Sequence, residues 1–192
     1  MIKKLFFIFK IFFLYQLFIS ICLADLQKDI INKLTATKTL TFDFKQKISD
    51  KEERGNCFIK YPLLMKCNYK NLKEKTIISN GKTLAIVKKK YKKIYLYPIK
   101  STPLFFILKK EKIINLVRNT KLIKINSDLI EFIFIDKKTN KVKILFDKNS
   151  FEFKGWETKD AYSNKVSFEI NNLIINNQIL DNFFKIPQEK DL

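Results

Sequence analysis

The chain predicts a mainly β fold: an antiparallel sheet of about eleven strands, curled toward a barrel and plugged by two short helical segments. Three observations carry this. Alternation of apolar and polar residues with period two begins at Leu40 and recurs in short runs almost to the C-terminus. The connections between runs are brief and polar, with Asn80-Gly81 the strongest hairpin signal, since both residues tolerate positive φ. Helical segments are read in two places, Asp25–Thr37 from its spacing and the apolar Leu104–Leu108 from the Thr102-Pro103 start before it.

The elements follow in order. Met1–Lys4 is a short basic start, Ile11–Ile21 an apolar run, and Cys22-Leu23-Ala24 leads into polar Asp25-Leu26-Gln27. That is the layout of a secretory signal peptide, expected to be removed after Ala24 and to leave residues 25–192 as one exported domain. A permanent membrane anchor is disfavoured by Lys10 and by the shortness of the apolar run. Acylation at Cys22 is disfavoured by bulky Ile21 before it. Removing 24 of the 192 residues leaves 168, enough for one domain with a substantial core.

Asp25–Thr37 reads as an amphipathic helix with Leu26, Ile30, Ile31 and Leu34 on its apolar face. Leu40, Phe42, Phe44, Gln46 and Ile48 then alternate with Thr41, Asp43, Lys45 and Lys47, as in a strand half buried on one face. Further strands are expected at Cys57–Lys60, Met65–Lys70, Thr76–Ser79, Thr83–Lys88 and Lys92–Tyr97, with Tyr61-Pro62-Leu63 as a break. Thr102 suits an N-cap and Pro103 a first helical position ahead of the wholly apolar Leu104–Leu108, a helix either buried or covering a greasy opening. Strands resume at Lys121–Asn126, Leu129–Ile135, Val142–Asp147, Phe151–Lys159 and Val166–Asn171, and a last piece ends at Phe183-Phe184-Lys185-Ile186-Pro187. Asp136–Asn140 and Asp147–Ser150 are turns between them.

Two cysteines remain after cleavage, Cys57 and Cys67, in a compartment that permits disulfides, and a bridge is expected. They have the same parity about Pro62. An odd-length loop places them opposite each other on the face of Ile59, Met65 and Tyr69, whereas a one-residue slip places them on opposite faces.

Charge and composition exclude some functions. The formal net charge is +19, and loss of Lys3, Lys4 and Lys10 with the leader lowers it to +16. Only Arg54 and Arg118 are arginines, which argues against nucleic-acid recognition, where the bidentate guanidinium is favoured. Histidine is absent, so the usual general base, the Ser/His and Cys/His nucleophile pairs and the commonest zinc ligand are missing. Carboxylates such as Asp43, Asp136 and Asp160 fall at turns or outward strand positions, and neither an enzyme, a metal site nor a cofactor is expected.

Several weak signals in one order carry a resemblance. After the N-terminal helix come Phe42-Asp43-Phe44-Lys45-Gln46, Gly55 opening a strand that ends at Pro62, Ser79-Asn80-Gly81-Lys82-Thr83-Leu84, and Thr102-Pro103-Leu104. Gly155-Trp156 with Asp160 and Asn182-Phe183-Phe184-Lys185-Ile186-Pro187 complete the series. Across nearly all of residues 25–192 this resembles the periplasmic outer-membrane lipoprotein carrier family, LolA. The resemblance implies a half-open antiparallel β-barrel closed by short helices over an apolar cavity. It also implies a monomer in the periplasm that takes triacylated lipoproteins from an inner-membrane ABC transporter, passes them to an outer-membrane receptor, and performs no covalent chemistry.

By alternation, the inward candidates for an acyl-chain cavity are Phe42, Phe44, Ile59, Met65, Tyr69, Leu84 and Ile86. Ile30 and Leu34 of the first helix and Phe105 and Leu108 of the insertion helix would form the lid. Ordinary core packing uses the same face of the same strands. Two departures from the family stand out. The residue before the turn proline is commonly an arginine that latches the lid, and here it is Tyr61, which carries no charge at neutral pH and offers one hydroxyl donor. Cys57 and Cys67 stand where large apolar residues are expected. Alternative functions are a LolB-like outer-membrane receptor, another LolA-fold lipid- or lipoprotein-binding protein, or a basic module for anionic surfaces.

Overall fold

The computed structural model describes residues 25–70, 74–120, 123–135, 141–159 and 163–192. The expected leader with Cys22, the Asp136–Asn140 turn and Asp160 lie outside them. Helix α1 spans residues 25–36. Six strands follow: β1 (Thr39–Ile48), β2 (Lys51–Lys60), β3 (Leu64–Tyr69), β4 (Lys75–Asn80), β5 (Thr83–Lys88) and β6 (Lys93–Pro98). Helices α2 (Leu104–Leu108) and α3 (Lys110–Asn119) lead to β7 (Ile123–Ile125), β8 (Leu129–Ile135), β9 (Lys141–Asp147), β10 (Phe153–Lys159) and β11 (Lys165–Ile175).

All eleven strands pair antiparallel in one sheet of order β6-β5-β4-β3-β2-β1-β11-β10-β9-β8-β7. The chain walks outward from β1 to β6, crosses through α2 and α3, and walks back from β7 to β11 beside β1. The sheet therefore stays open, with β6 and β7 as its edges. Inward residues of both halves, among them Phe42, Ile59, Phe132, Phe146 and Phe168, join Ile30, Leu34, Leu108, Ile113 and Val117 of the helices in one buried cluster. The sheet thus curls around the helices.

Two register shifts aim side chains inward that strict alternation would turn out. Gly155, at φ +137°, sits at the shift between β10 and β9 and lets Phe153 and Trp156, three positions apart, both face the core. Asn172, at φ +51°, does the same for Ile170 and Leu173 on β11, and its amide donates to Asp43 at 2.9 Å. The β9–β10 turn is held by Asp147, whose carboxylate accepts backbone N–H bonds from Ser150 at 2.8 Å and Asn149 at 3.0 Å. Those bonds hold its carboxyl below the usual range.

Several expectations are corrected. The described residues form three α-helices rather than two, because Lys109, with φ −97° and ψ 87°, breaks the helix and a second one starts at Lys110. Thr102 does not cap α2; its hydroxyl donates backwards to the carbonyl of Ile99 at 2.9 Å. The β4–β5 loop is Gly81-Lys82, with positive φ at Gly81 alone. Asn80 ends β4 and accepts from the N–H groups of Lys82 and Thr83. β2 begins at Lys51, well before Cys57, and β11 runs to Ile175, past Asn171.

The last expected strand is instead a 3₁₀ turn, Asp181–Phe184, within a segment strapped across the convex face. Phe183 meets Phe58 edge to face at 4.9 Å, and Ile186 and Leu192 cover Ile78, Ala85 and Val87. β4 and β5 are therefore apolar on both faces.

Candidate functional site: the concave interior and its helical lid

The inner face is built around aromatic rings. Tyr69 on β3 meets Phe44 on β1 at 4.8 Å, Phe44 stacks on Phe168 of β11 at 4.8 Å, and Phe168 stacks on Trp156 of β10 at 4.0 Å. Contacts continue through Phe153 and Phe146 to Phe132 on β8. Tyr69 and Phe44 lie on strands separated by β2, and they touch because Gly55 stands opposite both in register. A Cβ on Gly55 would lie 2.7 Å from the Phe44 ring and 2.0 Å from the carbonyl oxygen of Asn68. Glycine is what lets the two rings close over the middle strand.

Tyr69 also anchors the row to polar groups. Its hydroxyl donates to Gln46 at 2.7 Å, and the Lys75 ammonium, paired with Glu53 at 2.6 Å, sits 3.7 Å from its ring centroid. Burial, and secondarily the Glu53 carboxylate, raise its phenol well above the ordinary value, so it serves as a neutral donor.

Phe42, Phe44, Ile59, Met65, Tyr69 and Leu84 are all buried on the concave face, under Ile30, Leu34 and Leu108. Ile86 faces the same way, opposite Ile77 and Tyr95, but is half-buried at the β6 end. Phe105 is half-buried against the cluster, with the Lys112 ammonium 5.3 Å from its ring. Beneath α1, Leu34, Leu40, Tyr61, Phe153, Leu173 and Ile175 enclose a cavity of only about 10 Å³, little more than one water. Among the described residues the concave face is thus packed against side chains of its own helices.

Besides their apolar packing, the helices over the interior are tied to one another at their ends by polar contacts. The Lys110 ammonium, at the start of α3, donates to the carbonyls of Thr37 at 2.8 Å and Thr35 at 3.1 Å, at the C-terminal end of α1. At the other end, the side-chain amide of Gln27 on α1 donates to the carbonyl of Val117 on α3 at 2.7 Å. Each helix thus satisfies terminal carbonyls of the other, and the two run antiparallel. The Leu63 N–H donates to the Leu108 carbonyl at 3.0 Å, tying α2 to the β2–β3 turn.

Tyr61 makes no hydrogen bond to the helices among the described residues; its ring lies 5.7 Å from the Lys110 ammonium. Burial, and then the Glu111 carboxylate, raise its phenol above the ordinary value. The cation beside this position therefore comes from α3, not from the residue before the proline.

The sequence reading missed half of this interior. Phe132, Phe146, Phe168 and Ile170 alternate on the second half of the sheet as plainly as the residues chosen from the first. Ile113, Leu116 and Val117 carry helical spacing after Lys110 and are buried. Lys110 and Gln27 had no such signal.

Cys57 and Cys67 stand directly opposite in the β2–β3 register and form a disulfide within the buried cluster. The bridge spans ten positions, and removing it with Cys57→Ala/Cys67→Ala should cost about 2 kcal/mol. Because both cysteines are buried, mass analysis after alkylation in denaturant without reductant should find neither Cys57 nor Cys67 modified. Alkylation of both under those conditions would refute the bridge.

The described residues hold no group of three or more His, Cys, Asp or Glu placed for a metal ion, and no helix among them is long and apolar enough to cross a membrane. No curated protein matches the sequence. Among solved structures, an uncharacterized conserved protein from Thermus thermophilus superposes with TM-score 0.52 at 7% identity, over 85% of this chain and 94% of that one. A LolA superfamily protein from Nitrosomonas europaea gives 0.46 at 9% identity, over 83% and 97%. MucB, in the MucA/MucB complex from Pseudomonas aeruginosa, gives 0.49 at 7%, over 87% and 62%. At such identities structural likeness speaks to fold alone. The model of the family described as outer membrane lipoprotein carrier protein LolA, however, matches residues 35–187. A match over that much of the sequence shows that the chain belongs to the LolA family.

Proposed function

We propose that the protein is a periplasmic carrier that shields the acyl chains of triacylated lipoproteins and shuttles them from an inner-membrane ABC transporter to an outer-membrane receptor. On this reading residues 1–24 are a signal peptide removed after Ala24, and residues 25–192 are a single carrier domain that does no covalent chemistry. The observation that carries it is the pairing of an apolar concave face with a lid tied at its ends by side chain to carbonyl bonds. Each acyl CH₂ exposed to water costs about 0.8 kcal/mol, so a chain of roughly fifteen methylenes is held back by about 12 kcal/mol. A carrier lowers that barrier by offering a second apolar surface. Because the interior is filled when the lid is shut, acyl chains enter only as the helices lift, taking the place of Ile30, Leu34, Phe105 and Leu108 against Phe42, Phe44, Ile59, Met65, Tyr69, Leu84 and Ile86.

Native mass spectrometry of protein taken from the periplasm tests this. A bound triacylated lipoprotein is expected, and its persistent absence under transfer conditions would overturn the reading. Phe105→Asp should lower lipoprotein release from spheroplasts while circular dichroism stays unchanged, and undiminished release would remove Phe105 from the lid.

A further inference from the structure

The β6 end of the sheet carries a surface that the lid and interior do not use. Between Lys82 and Lys112 the chain has ten lysines, one acid (Glu111) and no arginine. Five of the lysines, Lys88, Lys89, Lys90, Lys92 and Lys93, cluster at the β5–β6 turn, and among the described residues none of them forms a salt bridge. β6 itself is an edge, and among the described residues no strand pairs on its outer side, although the Ile94 N–H donates to the Glu189 carboxylate of the C-terminal segment at 3.0 Å. Tyr95 (44%), Leu96 (61%) and Tyr97 (44%) are exposed along it, with Tyr91 (52%) at the turn.

Register places these groups on both faces of the strand. Tyr95 and Tyr97 lie opposite Ile86 and Leu84 and point to the concave side, while Leu96 lies opposite Ala85 on the convex side. A strand protected only against edge pairing would bear its lysines without large apolar groups on both faces. Lysine ammoniums attract phosphate headgroups as point charges, and tyrosine rings partition to the boundary between headgroup and acyl chain. A nucleic-acid surface would call for arginine forks, which are missing here.

We propose that the β6 edge, with the Lys88–Lys93 turn, docks the protein on an anionic lipid bilayer. β6 runs through Ile99–Ser101 directly into α2, so docking sets the lid beside the lipid surface. This surface is distinct from the acyl-binding interior, and its test does not depend on lipoprotein carriage.

Co-flotation of the full-length mature protein with phosphatidylglycerol/phosphatidylethanolamine vesicles provides that test. Binding is expected at low salt, weakened at about 1 M salt, where charge is screened within about 3 Å, and lost on neutral vesicles. Lys89→Glu/Lys90→Glu/Lys93→Glu should reduce partitioning on the order of a hundredfold. Tyr95→Ser/Leu96→Ser/Tyr97→Ser should reduce it roughly tenfold. Lys124→Glu/Lys141→Glu/Lys148→Glu, toward the β7 end, changes net charge equally and should have a far smaller effect. Equal loss from both lysine sets would mean diffuse attraction and overturn the proposal. So would absence of binding by the unaltered protein, including the case in which the edge captures only acidic proteins. Circular dichroism of each variant confirms the fold, and the turn lysines, being exposed, keep the test valid if the strand variant misfolds.

Discussion

Gly55→Val should destabilise the protein by about 3 kcal/mol or more, a large part of the roughly 5–15 kcal/mol that holds a domain folded. Glycine here is a matter of space rather than of backbone conformation. The new Cβ would lie 2.0 Å from the Asn68 carbonyl oxygen in the neighbouring strand and 2.7 Å from the Phe44 ring. Backbone cannot yield as a flexible side-chain tip can. Either β2 and β3 separate locally or Phe44 leaves its place between Tyr69 and Phe168. In both cases the ring row across the middle of the sheet is broken. The contrast is Gly81→Ala, whose added methyl meets only Leu64 at 3.8 Å and whose cost, about 1 kcal/mol, comes from its φ of +94°. Urea titration should therefore rank Gly55→Val far below Gly81→Ala, with thermal midpoints lowered by about 6–12 °C for the former. Coincident midpoints for Gly55→Val and the unaltered protein would show that the packing around Phe44 is not tight.

The same glycine shows what could be read from the sequence. Period-two alternation at Phe42 and Phe44 predicted the inward face of β1 from local geometry, whereas the parity of Cys57 and Cys67 about Pro62 left two registers open, of which the three-residue loop Tyr61–Leu63 realises the one with the cysteines opposite each other. Phe153 and Trp156 share a face only through the bulge at Gly155, which alternation does not disclose. The 3₁₀ turn at Phe183-Phe184 looked like a strand because its apolar residues do serve burial, but on the convex face of the sheet. α3 was legible in the spacing of Ile113, Leu116 and Val117 and was hidden by the break at Lys109. Eleven strands and an apolar interior were thus within reach of pattern. The lid fastenings were not, since Gln27 lies 90 positions from the carbonyl it meets and Lys110 is one lysine in a chain crowded with them.

On the proposed carrier reading those fastenings set the ease of lid opening, and removing both should have the largest effect on dynamics. In Gln27→Leu/Lys110→Met the chain lengths are nearly kept and the donors are lost. A neutral hydrogen bond is worth about 1 kcal/mol net, and one from a charged donor about 1.5 kcal/mol or more. The closed state should lose some 2–3 kcal/mol, raising the population of the open lid roughly 30- to 150-fold. The Thr35 and Thr37 carbonyls find water as the helices lift, so the loss falls on the closed form. Hydrogen exchange locates the effect: amides of α1 and α3, including those of Ile30, Leu34, Ile113 and Val117, should exchange faster by that factor. Amides of β1 and β2 around Phe42 and Ile59 should keep their protection, because they open only with the whole sheet. A uniform acceleration across helices and strands would mean that the lid is an inseparable part of the core. Unchanged exchange in α1 and α3 would mean that packing of Ile30, Leu34, Ile113 and Val117 alone keeps it shut, and that the polar ties at its two ends do not regulate access to the interior.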